Sequence, residues 1–221
     1  MTLDPRAAAQ VVDACAAAIV LLGVLLVVSR SIGRAIWMVG LQGACVGLAA
    51  LAVGLATGAG HLVFGGLLAI GAKGIAVPLI LGSILRRSSI RRERHPLLGS
   101  RASFVAAVAI VFAATSAAEG VSSGGGVAAD RALPAAISQV LMGLLIVMTR
   151  RKAVSLVVGL LVFENGIALT AFALTYGMPL VVELGVLFDV LIAVVVAWIY
   201  ARRMLDVLGS TSTDELRSLR G

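Results

Sequence analysis

The chain is predicted to be an all-α polytopic membrane protein of about seven transmembrane helices, arranged as two parallel three-helix repeats joined by an extra helix. Three observations lead there. Of its 221 residues 60% are hydrophobic and only 13% charged, far below the roughly 25% charged of soluble chains, and the mean hydropathy is +1.08. The apolar runs are long and lack the alternation of a barrel strand, and hydrocarbon tolerates only helices or closed barrels. The basic residues cluster in the breaks between runs. The bilayer is therefore the first partner that the composition demands.

The first span, 8–29, has acidic residues ahead of it and no basic n-region, so it reads as a retained helix rather than a cleavable signal. Asp13 is expected near the outer surface, solvated. The second span, 32–57, follows the Arg30/Arg34 turn and carries Gln42, which can hydrogen-bond between helices. The third, 60–85, carries Lys73, with Gly71 and Gly74 beside it and Pro78 beyond, so a locally opened helix with freed carbonyls is expected. The basic stretch RRSSIRRERHPLLGSR, Arg86 to Arg101, reads as an orienting loop with affinity for anionic headgroups. The fourth span, 103–119, ends at Glu119 before the SSGGG of 122–126, an exposed outer loop. The fifth, 133–149, leads to the Arg150, Arg151, Lys152 turn. The sixth, 153–175, holds Glu164 and Asn165, and the seventh, 178–201, holds Glu183 and Asp189. Trp37, Trp198 and Tyr200 fall at cytoplasmic helix ends, where aromatic rings anchor at headgroup level. The tail from Ser210 opens like a helix cap.

All but Arg6, Arg131 and Lys73 of the eighteen Lys and Arg fall in the Arg30/Arg34 turn, the Arg86 to Arg101 loop, the Arg150 to Lys152 turn and the tail from Arg202. The positive-inside rule then sets the N-terminus outside and the C-terminus in the cytoplasm of a cell inner membrane, as an odd helix number requires. Lys152 precedes Glu164 by 12 residues, while Arg86 follows Lys73 and Arg202 follows Asp189 by 13. At about 1.5 Å per residue those intervals are roughly 18 to 20 Å, which places Lys73, Glu164 and Asp189 near the midplane. Charges at that depth are costly and mark ion or proton paths. Glu183 lies one and two-thirds turns outward from Asp189 on a different face, a further candidate.

A shift of 119 lays Gly40, Leu41, Gly47 and Ala49 on Gly159, Leu160, Gly166 and Ala168, and a shift of 116 lays Lys73 on Asp189 and Arg86, Arg87 on Arg202, Arg203. A parallel three-plus-three duplication with 103–119 as spacer accounts for both. The chain divides accordingly into 1–102 (first repeat and basic loop), 103–130 (connecting helix and outer loop), 131–203 (second repeat) and 204–221 (tail). Cys45 stands in the first repeat where Glu164 stands in the second.

The net charge of +7 does not point to nucleic acid, because the cations lie where membrane topology puts them and no basic aromatic groove accompanies them. Cys15 and Cys45 are placed within membrane helices and expected to form no structural disulfide; with only His61 and His95 besides, no metal or haem ligand set is expected. No phosphate-cradling glycine loop occurs between a strand and a helix, and the 25 glycines suit close helix packing. The chain is therefore expected to hold no cofactor and no catalytic site of its own.

The stretches GLLIVMTRRKAVSLVVGLLVFENGIALTAFAL and VVELGVLFDVLIAVVVAWIYARR resemble the three-helix K-type subunit of respiratory complex I and the C-type subunit of Mrp antiporters. The full length, with an additional three-helix unit and a connecting helix, resembles component E of the hydrogenase-4 type of membrane complex. The resemblance implies a noncatalytic membrane subunit beside antiporter-like subunits and a hydrogenase or dehydrogenase whose own chains carry iron–sulfur clusters and, in the hydrogenase case, nickel. It also implies two membrane acids in the proton path: Glu164 falls on the first, and Asp189 on the second, as an aspartate where the complex I subunit has glutamate. Lys73, Glu183 and the polar Gln42 and Asn165 complete the candidate set. Burial disfavours a carboxylate and a neighbouring cation favours it, so a carboxyl held between the two can load and release protons near neutral pH. Two other classes fit the residues: an independent proton- or cation-coupled secondary transporter, and a membrane scaffold whose buried charges only fix helix register.

Overall fold

The computed structural model describes residues 3–87, 97–119 and 127–175. Its elements there are all helical: α1 (Pro5–Val28), α2 (Ile32–Thr57), α3 (Gly60–Ala69, a π-helical segment Ile70–Ala76, then Val77–Arg87), α4 (Ser100–Ala118), α5 (Val127–Thr149) and α6 (Ala153–Thr175). The first five contain stretches long and apolar enough to cross a membrane, and α6 contributes the shorter apolar stretch Val154–Thr170. A polytopic membrane protein follows. The expected seventh helix, with Glu183 and Asp189, lies outside the described residues, as do the tail and positions 88–96 of the basic loop.

Local chemistry explains the ends. α1 starts earlier than expected because Pro5 takes its first turn, where a missing N–H costs nothing, and the Asp4 carboxylate accepts from the Arg6 N–H at 3.1 Å. α2 stops at Gly58, whose φ of 72° is the left-handed conformation glycine adopts without strain. α5 begins at Val127 rather than 133, so Pro134 lies inside the helix. The far end of α1 is closed from a distance. Arg150, in the α5–α6 turn, is buried and donates from Nη2 to the carbonyls of Val27 and Ser29 at 2.6 and 3.0 Å, satisfying acceptors that a helix C-terminus leaves open. One member of the basic turn thus ties two helix ends together.

α5 and α6 pack along their lengths as an antiparallel hairpin, α1 lies against α2 and α5, and α2 touches α6. α3 flanks this group on α2, and α4 flanks it on α1 and α5. Small residues allow the approach: a Cβ on Gly47 of α2 would stand 2.7 Å from the Gly66 carbonyl of α3, and one on Gly66 would stand 2.7 Å from the Gly47 carbonyl. Gly166, equated with Gly47 by the repeat, instead meets Val140 of α5. Trp37, Phe64, Phe104 and Phe112 are more than half exposed, as side chains facing lipid are.

The apolar core is split in two. One cluster joins Val12 to Ile19 of α1 with Cys45 to Ala50 of α2, Ala132 to Ala136 of α5 and Leu169 of α6. The other joins Leu26 of α1, Ile36 and Val39 of α2, Val77 and Leu81 of α3, Met142 and Ile146 of α5 and Val158 to Val162 of α6. Between them stand Gly23 on α1, Gln42 on α2, Gln139 on α5 and Glu164 with Asn165 on α6, and Lys73 of α3 reaches Glu164 at this level.

Candidate functional site

Lys73 and Glu164 meet in that layer. The Lys73 Nζ lies 2.6 Å from Glu164 Oε1, joining α3 to α6 across 91 positions of sequence, with side chains only 7% and 12% exposed. The spacing from the basic clusters put both at one depth; the fold puts them in contact. Taking two charges out of water costs several kcal/mol each even after relaxation, and their attraction offsets that only in good geometry. A pair kept in an apolar bundle is therefore weak evidence for stability and better evidence for use.

The backbone of α3 is shaped around Lys73. It sits in the π-helical segment Ile70–Ala76, closed by the Val77 N–H donating to the Ala72 carbonyl five residues back. Pro78 causes this in part: it has no N–H for the Gly74 carbonyl, and its ring crowds that carbonyl in a regular α-helix. The locally opened helix expected from Gly71, Gly74 and Pro78 is realised as a widened turn, a form common at functional positions. On the facing helix, a Cβ at Gly43 would stand 2.5 Å from Lys73 Cβ. Glycine at 43 lets the lysine stem pass toward α6.

Asn165, buried beside Glu164, lines with Lys73 a small cavity bounded by Val39, Val77 and Leu161. It offers about 10 Å³ to the centre of a water molecule, which is roughly one water. Gln42 is fully buried and donates from Nε2 to the Ile19 carbonyl of α1 at 3.1 Å, the interhelical role expected of it. Gln139 of α5 is as deeply buried and was not singled out by sequence reading. The available signal was the one that selected Gln42, a lone amide in an apolar run, but it carries no charge.

Glu164 Oε2, Gln42 Oε1 and both amide atoms of Gln139 are buried without a hydrogen-bond partner among the described residues. Cys15 of α1 and Cys45 of α2, read separately in the sequence, are buried in the same apolar cluster and carry no disulfide. Among the described residues no three His, Cys, Asp or Glu side chains gather as a metal site would need. Asp13 is half-buried and engaged rather than simply solvated. Of the six candidate residues, the structure brings Lys73, Glu164, Asn165 and Gln42 into one layer; Asp189 and Glu183 lie outside the described residues.

No protein-family model matches the chain, and no solved structure matches it. Over 90 residues, 41% of this chain and 42% of the relative, it is 31% identical to hydrogenase-4 component E of Escherichia coli K12, and equally to that of Shigella flexneri. The chain spans less than half the length of these hydrogenase relatives. Over 210 residues, 95% of this chain and 96% of the relative, it is 32% identical to a Mycobacterium tuberculosis protein bearing the name "Uncharacterized protein Rv0085". Similarity of that extent makes this chain a member of the family to which the Mycobacterium tuberculosis protein Rv0085 belongs.

Proposed function

We propose that the chain is a noncatalytic membrane subunit of a complex I-like respiratory or hydrogenase complex, and that its buried charges serve proton or ion translocation coupled to electron transfer in partner subunits. The observation that carries this reading is the Lys73–Glu164 pair, 2.6 Å apart and buried between α3 and α6. The likeness to hydrogenase-4 component E supports the class of assembly. Antiporter-like membrane subunits and a hydrogenase or dehydrogenase with iron–sulfur clusters are the partners this reading requires.

Protonation of Glu164 removes its charge beside the Lys73 ammonium, and deprotonation restores the ion pair. Each proton that enters or leaves therefore changes the charge of the layer by one, a change felt strongly at low dielectric by any neighbouring charge. Asp189 and Glu183, on the expected seventh helix, serve as the next groups of the relay in this reading. The same proposal sets seven helices in an inner membrane, two parallel repeats, the N-terminus outside and the C-terminus in the cytoplasm.

Gentle nanodisc or detergent purification of the tagged protein, with mass spectrometry of what copurifies, tests the assembly. Antiporter-like and iron–sulfur or nickel subunits are expected; a clean homo-oligomer overturns the reading in favour of a self-contained transporter. In the isolated complex, Glu164→Gln is expected to lower coupled proton movement about tenfold or more with the subunits still assembled. Full retention of coupling would reduce the pair to a scaffold.

A further inference from the structure

Four helix ends meet at the Arg150 end of the bundle: α1 and α5 finish there, and α2 and α6 begin. Between them lies a cleft with about 310 Å³ of empty space, part of it open to the outside. Its polar lining is Ser29, Arg30, Ser31, Arg150 and Ser155, while the buried Leu26, Ile146 and Val158 supply apolar walls. None of the residues lining it is acidic. The two turns that frame it, 29–35 and 149–155, carry Arg30, Arg34, Arg150, Arg151 and Lys152 and no Asp or Glu.

The two arginines of the cleft stand differently. Arg150 is 8% exposed, and its Nη2 bonds to the Val27 and Ser29 carbonyls fix the guanidinium in place without neutralising it. The Arg30 side chain is exposed and makes no hydrogen bond or ion pair among the described residues. Ser31 is the N-cap of α2, yet its side chain does not cap the helix and the first turn holds no acid, so donors of that turn stay open to an anion. Guanidinium groups, hydroxyls and open N–H donors suit an oxyanion and repel a cation. The enclosed part of the cleft offers about 20 Å³ to the centre of a water-sized group, roughly one or two oxygen atoms. A phosphate can seat its unesterified oxygens there and leave its ester links at the mouth. Depth decides for phosphate over carboxylate: the helix ends lie at headgroup level, as the exposed Trp37 early in α2 marks, and phosphate is the abundant anion there.

We propose that the cleft between the α1–α2 and α5–α6 turns binds one phosphate group, supplied by an anionic phospholipid headgroup or by free phosphate, with Arg150 as its fixed cation and Arg30 as the arm that closes on it. Orienting the chain in a membrane requires cations in these turns but neither a cleft nor a buried arginine. The site involves neither Lys73 nor Glu164, and it stands whether or not the chain joins a larger complex.

Native mass spectrometry of the full chain released from nanodiscs of mixed phosphatidylcholine and phosphatidylglycerol tests the lipid source. Phosphatidylglycerol is expected to be retained in preference to phosphatidylcholine, and Arg30→Gln is expected to lower that retention about fivefold or more. Ala35→Leu, which fills the cleft without touching a charge, is expected to lower it as well. Arg34→Gln removes the same charge from the same turn but does not line the cleft, and is expected to keep retention within about twofold of wild type. The free source is read in nanodiscs of phosphatidylcholine alone, where about 10 mM inorganic phosphate, against chloride at equal ionic strength, raises the unfolding midpoint of wild type and not of Arg30→Gln. A response in the first measurement assigns the phosphate to lipid, and a response in the second alone assigns it to the aqueous phase. No response in either overturns the site, as does Arg34→Gln acting as strongly as Arg30→Gln, which would reduce the effect to attraction by the turn as a whole. Arg30 is exposed and unbonded, so its variant remains informative should Ala35→Leu not fold.

Discussion

Lys73 and Glu164 meet as an ion pair inside the bundle. Removing one charge strands its partner in an apolar interior, at a cost of about 3–5 kcal/mol, whereas replacing both by apolar groups of similar volume is often neutral. Lys73→Met and Glu164→Leu singly are therefore expected to lower thermal stability in detergent sharply, and the double variant to recover most of the loss; additive losses would show that the pair does not couple. Arg150 makes a different kind of contribution. Arg150→Gln keeps a donor but shortens its reach to the Val27 and Ser29 carbonyls, and a loss of about 1–3 kcal/mol is expected for the carbonyls left open. Unchanged unfolding would refute that role. Lys73, Glu164 and Gln42 were legible as anomalies of polarity at depth. Gln139 was equally anomalous but uncharged, and its meaning depended on what stood opposite, which is Gly23 of another helix.

Helices are the part of this protein most directly written in its sequence, because apolar length and flanking charge determine them without reference to neighbours. Their starts were less legible: Pro5 and Pro134 are placed by context, one at the first turn of α1 and the other inside α5. The π segment of α3 was foreshadowed by Gly71, Gly74 and Pro78, although a widened turn rather than an open one had to be found by folding the chain. Its partner surface is the glycine face of α2. Gly43→Val is expected to push Lys73 away from Glu164 and to reproduce the loss of coupled proton movement expected for Glu164→Gln, whereas Gly58→Ala, at the end of the same helix with open space around it, is expected to strain the cap and spare coupling. Coupling in the complex, compared with thermal stability, separates the two. The cluster that Cys15 and Cys45 share has its own test. Copper–phenanthroline oxidation is expected to join Cys15 to Cys45 within one chain, read as a linked peptide pair; linkage only between chains would contradict the α1–α2 packing.

The assembled bundle places a polar layer between two apolar clusters, with contributions from five helices. The orientation proposed for it can be checked directly, because the native thiols are buried and leave an introduced cysteine as the reporter. In intact cells an impermeant maleimide is expected to label Ser123→Cys and to miss Ser89→Cys until the membrane is opened; the reverse pattern would invert the topology. The proposed repeat has no counterpart in these contacts, since Gly47 serves α3 and the residue aligned with it, Gly166, serves α5. Matching small residues record that a helix has a close neighbour and leave open which neighbour it is.

The sequence by itself determined that the chain is helical, that it suits a bilayer, and that certain charges stand in the middle of apolar runs, because hydropathy and charge placement are properties of one segment at a time. Only the tertiary structure decided that Lys73 meets Glu164, that Arg150 closes α1, that the two cysteines share one buried cluster, and that Gln139 belongs to the polar layer. The first two relations join residues 91 and 123 positions apart, and no local pattern encodes which side chain a neighbouring helix will present.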